Sequence, residues 1–413
     1  MLDIAATLLV LTALLMYLNA RWLKLPTTIG LMVTSMLLSL ALVGFDALGV
    51  AGAMHAREAA LVGAIDFNEL LMQGMLSLLL FAGALHVDVE ALREYRWQVA
   101  LLAFVGTAAS TALVGAALWG VLGLIGLAVP LLDCLLFGAL ISPTDPIAVI
   151  GMLKSAGAPR NLETVIAGES LFNDGVGVVI FTLLLGMRLD GAAPTLGHAG
   201  ALLLQEAGGG LVFGWVLGRA TLFLLRSIDN YQVEVVLTLA AVVGGYALAN
   251  SLHCSGPLAM VVTGLVVGGA AHADKPGATS HQVHQFWELL DELLNAVLFV
   301  LVGMEVIVIR FPVSPALALF AGSATIVVAL VARWLTVGLP VLAFRRAFRL
   351  PAGAAGILTW GGLRGGISLA LALALPAGPH RETLIALTYC VVAFAILVQG
   401  LSFGRLVRRI APN

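Results

Sequence analysis

The chain has 413 residues, of which 61% are hydrophobic and only 11% are charged, well below the roughly 25% of charged residues in an average soluble protein. Lys and Arg number 21 and Asp and Glu number 23, so the formal net charge is -2. This balance excludes a disordered chain, which is far less apolar, and a nucleic-acid binder that works through a basic surface. So few charged side chains do not cover the surface of a soluble protein of this length. The composition therefore predicts a polytopic membrane protein.

Long apolar stretches separated by charged residues, Pro or Gly recur along the whole chain. A membrane-spanning helix needs about 20 apolar residues, and the stretches do not alternate as the strands of a membrane barrel do. The sequence therefore predicts an all-α polytopic membrane protein with about thirteen transmembrane helices. In chain order, these lie near residues 4–20, 27–45, 69–86, 98–124, 129–151, 163–187, 198–225, 232–252, 255–271, 285–309, 313–344, 350–375 and 381–404.

The positive charges predict the orientation of the chain. With this number of spans the two termini lie on opposite sides. Arg57, Arg188, Arg310 and Arg381 fall on the side of the N-terminus, two arginines fall within spans, and every other Lys and Arg falls on the side of the C-terminus. Because positive residues collect in cytoplasmic loops, we expect the N-terminus outside and the C-terminus in the cytoplasm.

The fifth predicted span contains helix-breaking residues at its centre, Ser-Pro-Thr-Asp-Pro at 142–146. Proline removes a backbone donor and clashes with the preceding turn, so two prolines flanking Thr144 and Asp145 predict an unwound segment at membrane depth. Such a segment is tolerated only in a protein interior or beside a watery cavity. Its carbonyls and the Asp145 carboxylate could bind a cation, and a kinked helix with Asp145 as an N-cap is the alternative.

The sixth span carries a polar stripe within Gly-Glu-Ser-Leu-Phe-Asn-Asp-Gly at 168–175. Since residues four apart share a helix face, Ser170 lies over Asp174 and Glu169 lies over Asn173. Oxygen ligands of this kind suit hard cations. Interhelical hydrogen bonding would explain the serine and the asparagine, but it explains two carboxylates inside a membrane poorly.

The twelfth span contains Gly-Gly-Leu-Arg-Gly-Gly at 361–366. Four glycines weaken a helix and allow close approach of backbone. Arg364 stays charged, so it needs a buried carboxylate partner, and Glu169 is the best candidate. Arg333, in the eleventh span, has no evident partner; Glu305 and lipid headgroups are candidates.

The interrupted fifth and twelfth spans occupy equivalent positions if spans one to six and eight to thirteen are two repeats joined by the seventh. Paired interrupted segments in matching halves indicate a transporter site at the interface between the repeats. The prediction is one membrane transporter domain over residues 1–413, with a first repeat at 1–187, a linker helix region at 188–231 and a second repeat at 232–413.

In sequence and order, the three motifs at 142–146, 168–174 and 361–365 resemble those of the monovalent cation:proton antiporters of the NhaP/NHE type. The resemblance covers nearly the whole chain. It implies an NhaA-like fold, with two inverted six-helix repeats, crossed broken helices and assembly as a homodimer. It also implies a core domain from 98–187 and 313–413, and a dimerisation domain from 1–97 and 232–309.

The resemblance further implies roles for individual residues. Glu169 and Arg364 would form a structural ion pair, and the Asn-Asp pair marks the electroneutral branch of the family. Some relatives carry an acidic residue in the third span, where this chain has Ala82. Asn173 would organise the crossing of the broken helices. The implied ion and proton site consists of Asp174, Asp145, Ser170, Thr144 and Asn173, and the implied Na⁺ ligands are Asp174, Asp145, Ser170 and the Thr144 carbonyl.

Because a buried carboxylate favours its neutral form, we expect Asp174 to hold either a proton or a cation but not both. This competition predicts a secondary active antiporter that exchanges Na⁺, with Li⁺ and K⁺ as further candidates, for H⁺ in an electroneutral 1:1 ratio by alternating access. No enzymatic activity and no cofactor are expected. The alternatives are a cation channel, a sodium-coupled solute symporter and an intramembrane hydrolase acting through Ser170.

The expected partners are membrane lipid, the transported Na⁺ and H⁺, and a second copy of the chain, with no nucleic acid. The expected location is the cell (inner) membrane of a bacterium or archaeon. Glu288, Asp291 and Glu292, near the start of the tenth span, have two interpretations. They form either a funnel that attracts cations or the solvated start of a helix, and the second interpretation is preferred.

Overall fold

The computed structural model describes residues 2–47, 74–190, 196–273, 278–304 and 314–410. Within these ranges the secondary structure is helical and no strand occurs, which confirms the predicted all-α class. In chain order, the helices are α1 (Leu2–Leu18), α2 (Thr27–Ala47), α3 (Leu76–Leu85), α4 (Val89–Glu94), α5 (Arg96–Leu124), α6 (Leu131–Ile141), α7 (Ile147–Ser155), α8 (Arg160–Asp190), α9 (Leu196–Leu225), α10 (Tyr231–Ser251), α11 (Gly256–Ala273), α12 (Ala278–Met304), α13 (Pro315–Ala343), α14 (Arg345–Phe348), α15 (Ala354–Trp360), α16 (Gly366–Leu373) and α17 (Arg381–Ile410).

Seven of the described helices are long and apolar enough to cross a membrane, namely α1, α5, α8, α9, α10, α13 and α17. The helices α2, α3, α6 and α11 contain shorter apolar segments. Large apolar side chains on the outer helices, such as Leu204, Phe223, Val243 and Leu319, are exposed, as expected of surfaces that face lipid. Each predicted span coincides with one helix or a pair of helices wherever its residues are described, and the number of spans that cross the membrane stays a prediction.

Local sequence signals account for several helix ends. The Asp88 carboxylate accepts hydrogen bonds from the backbone N–H groups of Glu90 and Ala91 at 3.0 and 3.1 Å, and it thereby caps α4. Asn230 caps α10 in the same way. These side chains satisfy backbone donors that the first helical turn leaves free.

Glycines allow some helices to pack with their backbones in contact. A Cβ atom added at Gly138 of α6 would overlap the carbonyl of Thr111 on α5, and one added at Gly268 of α11 would overlap the carbonyl of Leu85 on α3. Small residues at such contacts are typical of helix association in membranes, where burial of apolar surface drives packing only weakly. These contacts fix α6 against α5 and α3 against α11.

Two interruptions of helices meet near the centre of the molecule. The first separates the end of α6 at Ile141 from the start of α7 at Ile147, and the second separates α15 from α16 at residues 361–365. The backbone N–H of Asp145 donates to the carbonyl of Leu363 at 2.8 Å. The guanidinium of Arg364 donates to the carbonyls of Ser142 and Pro143. The structure thus confirms both predicted interruptions and brings them into direct contact, whereas the division into repeats and domains stays a prediction.

Candidate functional site

Asn173 joins the first interruption to the polar face of α8. Its amide oxygen accepts a hydrogen bond from the backbone N–H of Thr144 at 3.2 Å, and its amide nitrogen donates to the Thr144 hydroxyl and to Glu169 Oε1, both at 2.8 Å. The hydroxyls of Thr144 and Ser170 lie 3.0 Å apart. All four side chains are buried. The unwound segment is therefore held against α8 by hydrogen bonds that replace those of a continuous helix.

Arg333 is the partner of Glu169. Its Nη1 and Nη2 atoms lie 2.6 and 2.8 Å from the two carboxylate oxygens, and Nη2 also donates to the carbonyl of Leu358 at 3.2 Å. This bidentate contact is the stronger geometry of an arginine–carboxylate pair. The prediction that Glu169 pairs with Arg364 was therefore wrong, and Glu305, a predicted candidate for Arg333, lies outside the described residues.

Arg364 has a different role from the predicted one. It lies within the second interruption and is 3% exposed. Its guanidinium binds the carbonyls of Ser142 and Pro143, which follow the end of α6 and have no following helical turn to bond to. The carbonyl end of a helix carries partial negative charge, so an arginine is stabilised there. The unpaired carbonyls therefore explain why Arg364 bonds to backbone, while Glu169 pairs with Arg333.

Asp174 lies one turn beyond Ser170 on α8 and is 7% exposed. Within the part of the chain that the structure describes, its carboxylate makes no hydrogen bond or ion pair. It borders a cavity of about 90 Å³, which is large enough for several water molecules. Thr144 and Asp145 border the same cavity, while Ser170 and Asn173 are buried behind it and bond to Thr144. The structure therefore brings together the five residues of the predicted site.

The far wall of the cavity belongs to α3 and α12. The α3 side is apolar, with Leu79, Leu80 and Gly83, whereas α12 contributes Asp291 and Asn295. The amide nitrogen of Asn295 donates to Asp291 Oδ1 at 3.1 Å and to the Asp291 carbonyl at 2.9 Å.

Sequence reasoning missed Asp291 as a residue of the site. The preferred interpretation of a solvated helix start was wrong for it, because α12 already begins at Ala278, more than three turns earlier. The spacing of four residues between Asp291 and Asn295, which puts two polar groups on one helix face, was the available signal.

Two interrupted helices that meet beside a buried, unpaired carboxylate in a helical membrane protein define the architecture of a secondary transporter. A family model described as "Sodium/hydrogen exchanger, transmembrane" matches residues 10–409, which is nearly the whole chain. The chain belongs to this family of transporters, and it is an integral membrane protein.

Individual relatives agree with this assignment. The Na(+)/H(+) antiporter NhaP of Pseudomonas aeruginosa is 50% identical, and the match covers 99% of this chain and 97% of the relative. The Na(+)/H(+) antiporter NhaH of Halobacillus dabanensis is 34% identical over 83% of this chain and 84% of its own. Among solved structures, the sodium proton antiporter MjNhaP1 from Methanocaldococcus jannaschii at pH 8 has a similar fold, with a TM-score of 0.75 at 19% identity over 99% of this chain and 98% of that one.

Proposed function

We propose that the protein exchanges Na⁺ for H⁺ across a cell membrane, one for one, and that the two ions compete for Asp174. The observation that carries the proposal is the Asp174 carboxylate, buried at the cavity with no hydrogen-bonding or ionic partner among the described residues. An isolated charge is costly in such a place, so the carboxylate either takes up a proton or binds a cation. The names of the relatives, which are Na(+)/H(+) antiporters, support the choice of the two ions.

In the cation-bound state, the transported Na⁺ lies between oxygen atoms of the first interruption and of α8. Asp174 and Asp145 supply carboxylate oxygens, and Thr144 and Ser170 supply further oxygens. Hard cations prefer such ligands. Asn173 holds the Thr144 segment in place through its three hydrogen bonds and does not need to touch the ion.

The charges around the site support an electroneutral exchange. Glu169 is compensated by Arg333 through two short contacts, so it does not add a proton to the cycle. Asn173 is neutral. Of the ionisable groups on this face of α8, Asp174 is the one left to change its state, and with the charge of Asp145 constant, replacing one proton by one Na⁺ there moves no net charge.

Alternating access requires that the cavity open first to one side and then to the other. The cavity lies between α3 and α12, which belong to the proposed dimerisation domain, and the first interruption, α8 and α16, which belong to the proposed core domain. The core, residues 98–187 and 313–413, would move against the fixed residues 1–97 and 232–309 of a homodimer. We place this dimer of inverted repeats in the inner membrane, with the N-terminus outside and the C-terminus in the cytoplasm.

The comparisons give no support to the alternatives of a cation channel and a sodium-coupled solute symporter. The structure gives the hydrolase alternative no support either, because the partner of the Ser170 hydroxyl, at 3.0 Å, is the Thr144 hydroxyl, which is not a general base. Transport without a change of covalent bonds, and without a cofactor, is the activity we assign.

The test is transport by the purified protein in liposomes that contain a pH-sensitive dye. Added Na⁺ should drive proton movement that saturates with Na⁺ concentration and is unchanged when valinomycin and K⁺ clamp the membrane potential. Asp174→Asn keeps the shape of the side chain but can neither titrate nor compensate a cation, so its flux should fall to that of protein-free liposomes.

The matched control is Asp229→Asn, an exposed position between α9 and α10, which should transport as the wild type does. Retained Na⁺-dependent proton flux in Asp174→Asn would contradict the role of Asp174. A wild-type flux that follows the clamped potential would contradict the electroneutral ratio.

A further inference from the structure

A carboxylate that the proposed cycle does not use faces the ion site from the other wall of the cavity. This carboxylate is Asp291 of α12. Asn295 and Leu298 follow it by four and seven residues, so all three lie on one helix face. All three border the cavity. The Leu298 side chain packs against Gly366 of α16 so closely that a Cβ atom there would overlap it. This face of α12 is therefore held directly against the start of α16, beside the meeting point of the two interruptions.

The start of α16 carries a hydroxyl group that lacks a partner. Ser368 is 1% exposed and borders the cavity, yet its Oγ atom has no hydrogen-bond partner among the described residues. A buried hydroxyl left unsatisfied is costly. Most buried hydroxyls in folded proteins are satisfied, so this one indicates a group that occupies the cavity for part of the cycle.

Asp291 is held at the cavity by a neighbouring side chain on the same helix. The amide nitrogen of Asn295, which is 6% exposed, donates to the Asp291 side chain and to its carbonyl. The contact with the side chain holds the carboxylate on the cavity side of α12, and the contact with the backbone carbonyl orients the Asn295 amide. The rest of that wall, from α3, is apolar, so Asp291 is the group there that can attract a cation.

We propose that Asp291 and Ser368 form a second position for the transported cation, on the path between bulk water and Asp174. This inference rests on the proposed exchange activity and adds a residue from the opposite wall to it. The ligands are a carboxylate and a hydroxyl, which suit a hard monovalent cation such as Na⁺. Because Asp291 and Ser368 belong to different walls, an ion at this position bridges them before it reaches Asp174.

The second position should set the apparent affinity for Na⁺ without being required for exchange. Asp291→Asn should raise the KM for Na⁺ about tenfold, which corresponds to about 1.4 kcal/mol of lost binding, while the maximal rate stays close to that of the wild type. Asp291→Glu, which keeps the carboxylate, should recover part of the affinity. Ser368→Ala should raise the KM several-fold without lowering the melting temperature, since it removes a hydroxyl that has no partner in the protein.

The matched control is Glu292→Gln, which removes the same charge one residue away from an exposed side chain of the same helix. If Asp291→Asn and Glu292→Gln have equal KM values for Na⁺, the effect is one of general charge and the second position is contradicted. If neither Asp291→Asn nor Ser368→Ala changes the KM, the inference is wrong while the exchange activity stands. If the wild type itself shows no Na⁺-driven proton flux, the proposed function is contradicted instead.

Binding can be measured separately from transport. Purified Asp174→Asn protein should still gain thermal stability in NaCl relative to choline chloride, because the second position remains. The double variant Asp174→Asn, Asp291→Asn should gain none. A gain that persists in the double variant, or that is already missing in Asp174→Asn, overturns the proposal.

Discussion

At the residue scale, the charged groups buried around the two interruptions differ in how they are compensated. Glu169 is bound by Arg333 through two contacts, and Arg364 is bound by backbone carbonyls. Asp174 differs because it makes no hydrogen bond or ion pair with any described group. This difference separates groups that hold the structure together from the group that can change its state.

The choice of partner for Glu169 can be tested by a double-mutant cycle, in which the combined effect of two substitutions is compared with the sum of the single effects. Removing one member of a buried ion pair leaves the other charge unpaired and costs about 3–5 kcal/mol. We therefore expect Glu169→Gln and Arg333→Gln each to lower the melting temperature strongly and the double variant to lose much less than the sum.

The control cycle pairs Glu169→Gln with Arg364→Gln. Its effects should be much closer to additive than those of the Arg333 cycle, because Arg364 bonds to the carbonyls of the first interruption. A larger coupling for Arg364 than for Arg333, measured in the same detergent, would restore the pairing that the sequence predicted.

The sequence was sufficient to find the charged residues of the two interruptions and of α8, but not their partners. Asp145, Glu169, Asp174 and Arg364 stand out because ionisable groups inside apolar spans are rare and functional. The choice between Arg333 and Arg364 could not be predicted, because both are long side chains in the second half of the chain. What decides it is that Arg364 lies beside the unbonded carbonyls after Ile141, and this proximity exists only once the two interruptions meet.

At the scale of helices, proline and glycine were sufficient to locate the interruptions. Pro143 and Pro146 end α6 and delay α7, and the glycines at 361–366 do the same between α15 and α16. The start of α12 was not predicted, because residues 278–284 are mostly polar and resemble a loop in an apolarity profile. Since α12 begins there, Asp291 lies inside the helix and faces the cavity.

Gly365 tests how closely the two interruptions must approach. A Cβ atom at this position would lie 2.7 Å from the Cβ of Asp145 and 2.8 Å from its Oδ2 atom. Gly365→Ala should therefore displace the Asp145 carboxylate and raise the KM for Na⁺ about tenfold or more, roughly the loss of one good ligand contact. The measurement is the Na⁺ dependence of proton flux in liposomes.

Gly151→Ala is the control for that substitution. Gly151 lies in α7, and an added Cβ meets nothing within 4 Å, so transport should be unchanged and the helix about 0.5–1 kcal/mol more stable. If both alanine variants have the wild-type KM, close contact between Gly365 and Asp145 is not needed for cation binding.

At the scale of the whole molecule, the polar lining of the cavity comes from four separate parts of the chain. The residues near 143–146, 171–174, 291–298 and 365–368 all border one cavity. Motif order and span number predicted that the first, second and fourth of these meet. They could not predict the third, because its position depends on how α12 packs against α16, and no motif in the sequence marks that contact.

The competition between the two ions at Asp174 predicts how transport depends on pH. Na⁺ binds only the deprotonated carboxylate, so the apparent affinity falls with the fraction of molecules that are deprotonated. As the pH on the Na⁺ side falls, the KM for Na⁺ should rise, by about tenfold per pH unit once most molecules carry the proton, while the maximal rate stays constant. Initial rates measured over a range of Na⁺ concentrations at several pH values, with the potential clamped, give both parameters. If the maximal rate instead decreases as the pH is lowered, while the KM for Na⁺ stays constant, protonation of another group inactivates transport. In that case the two ions do not share Asp174.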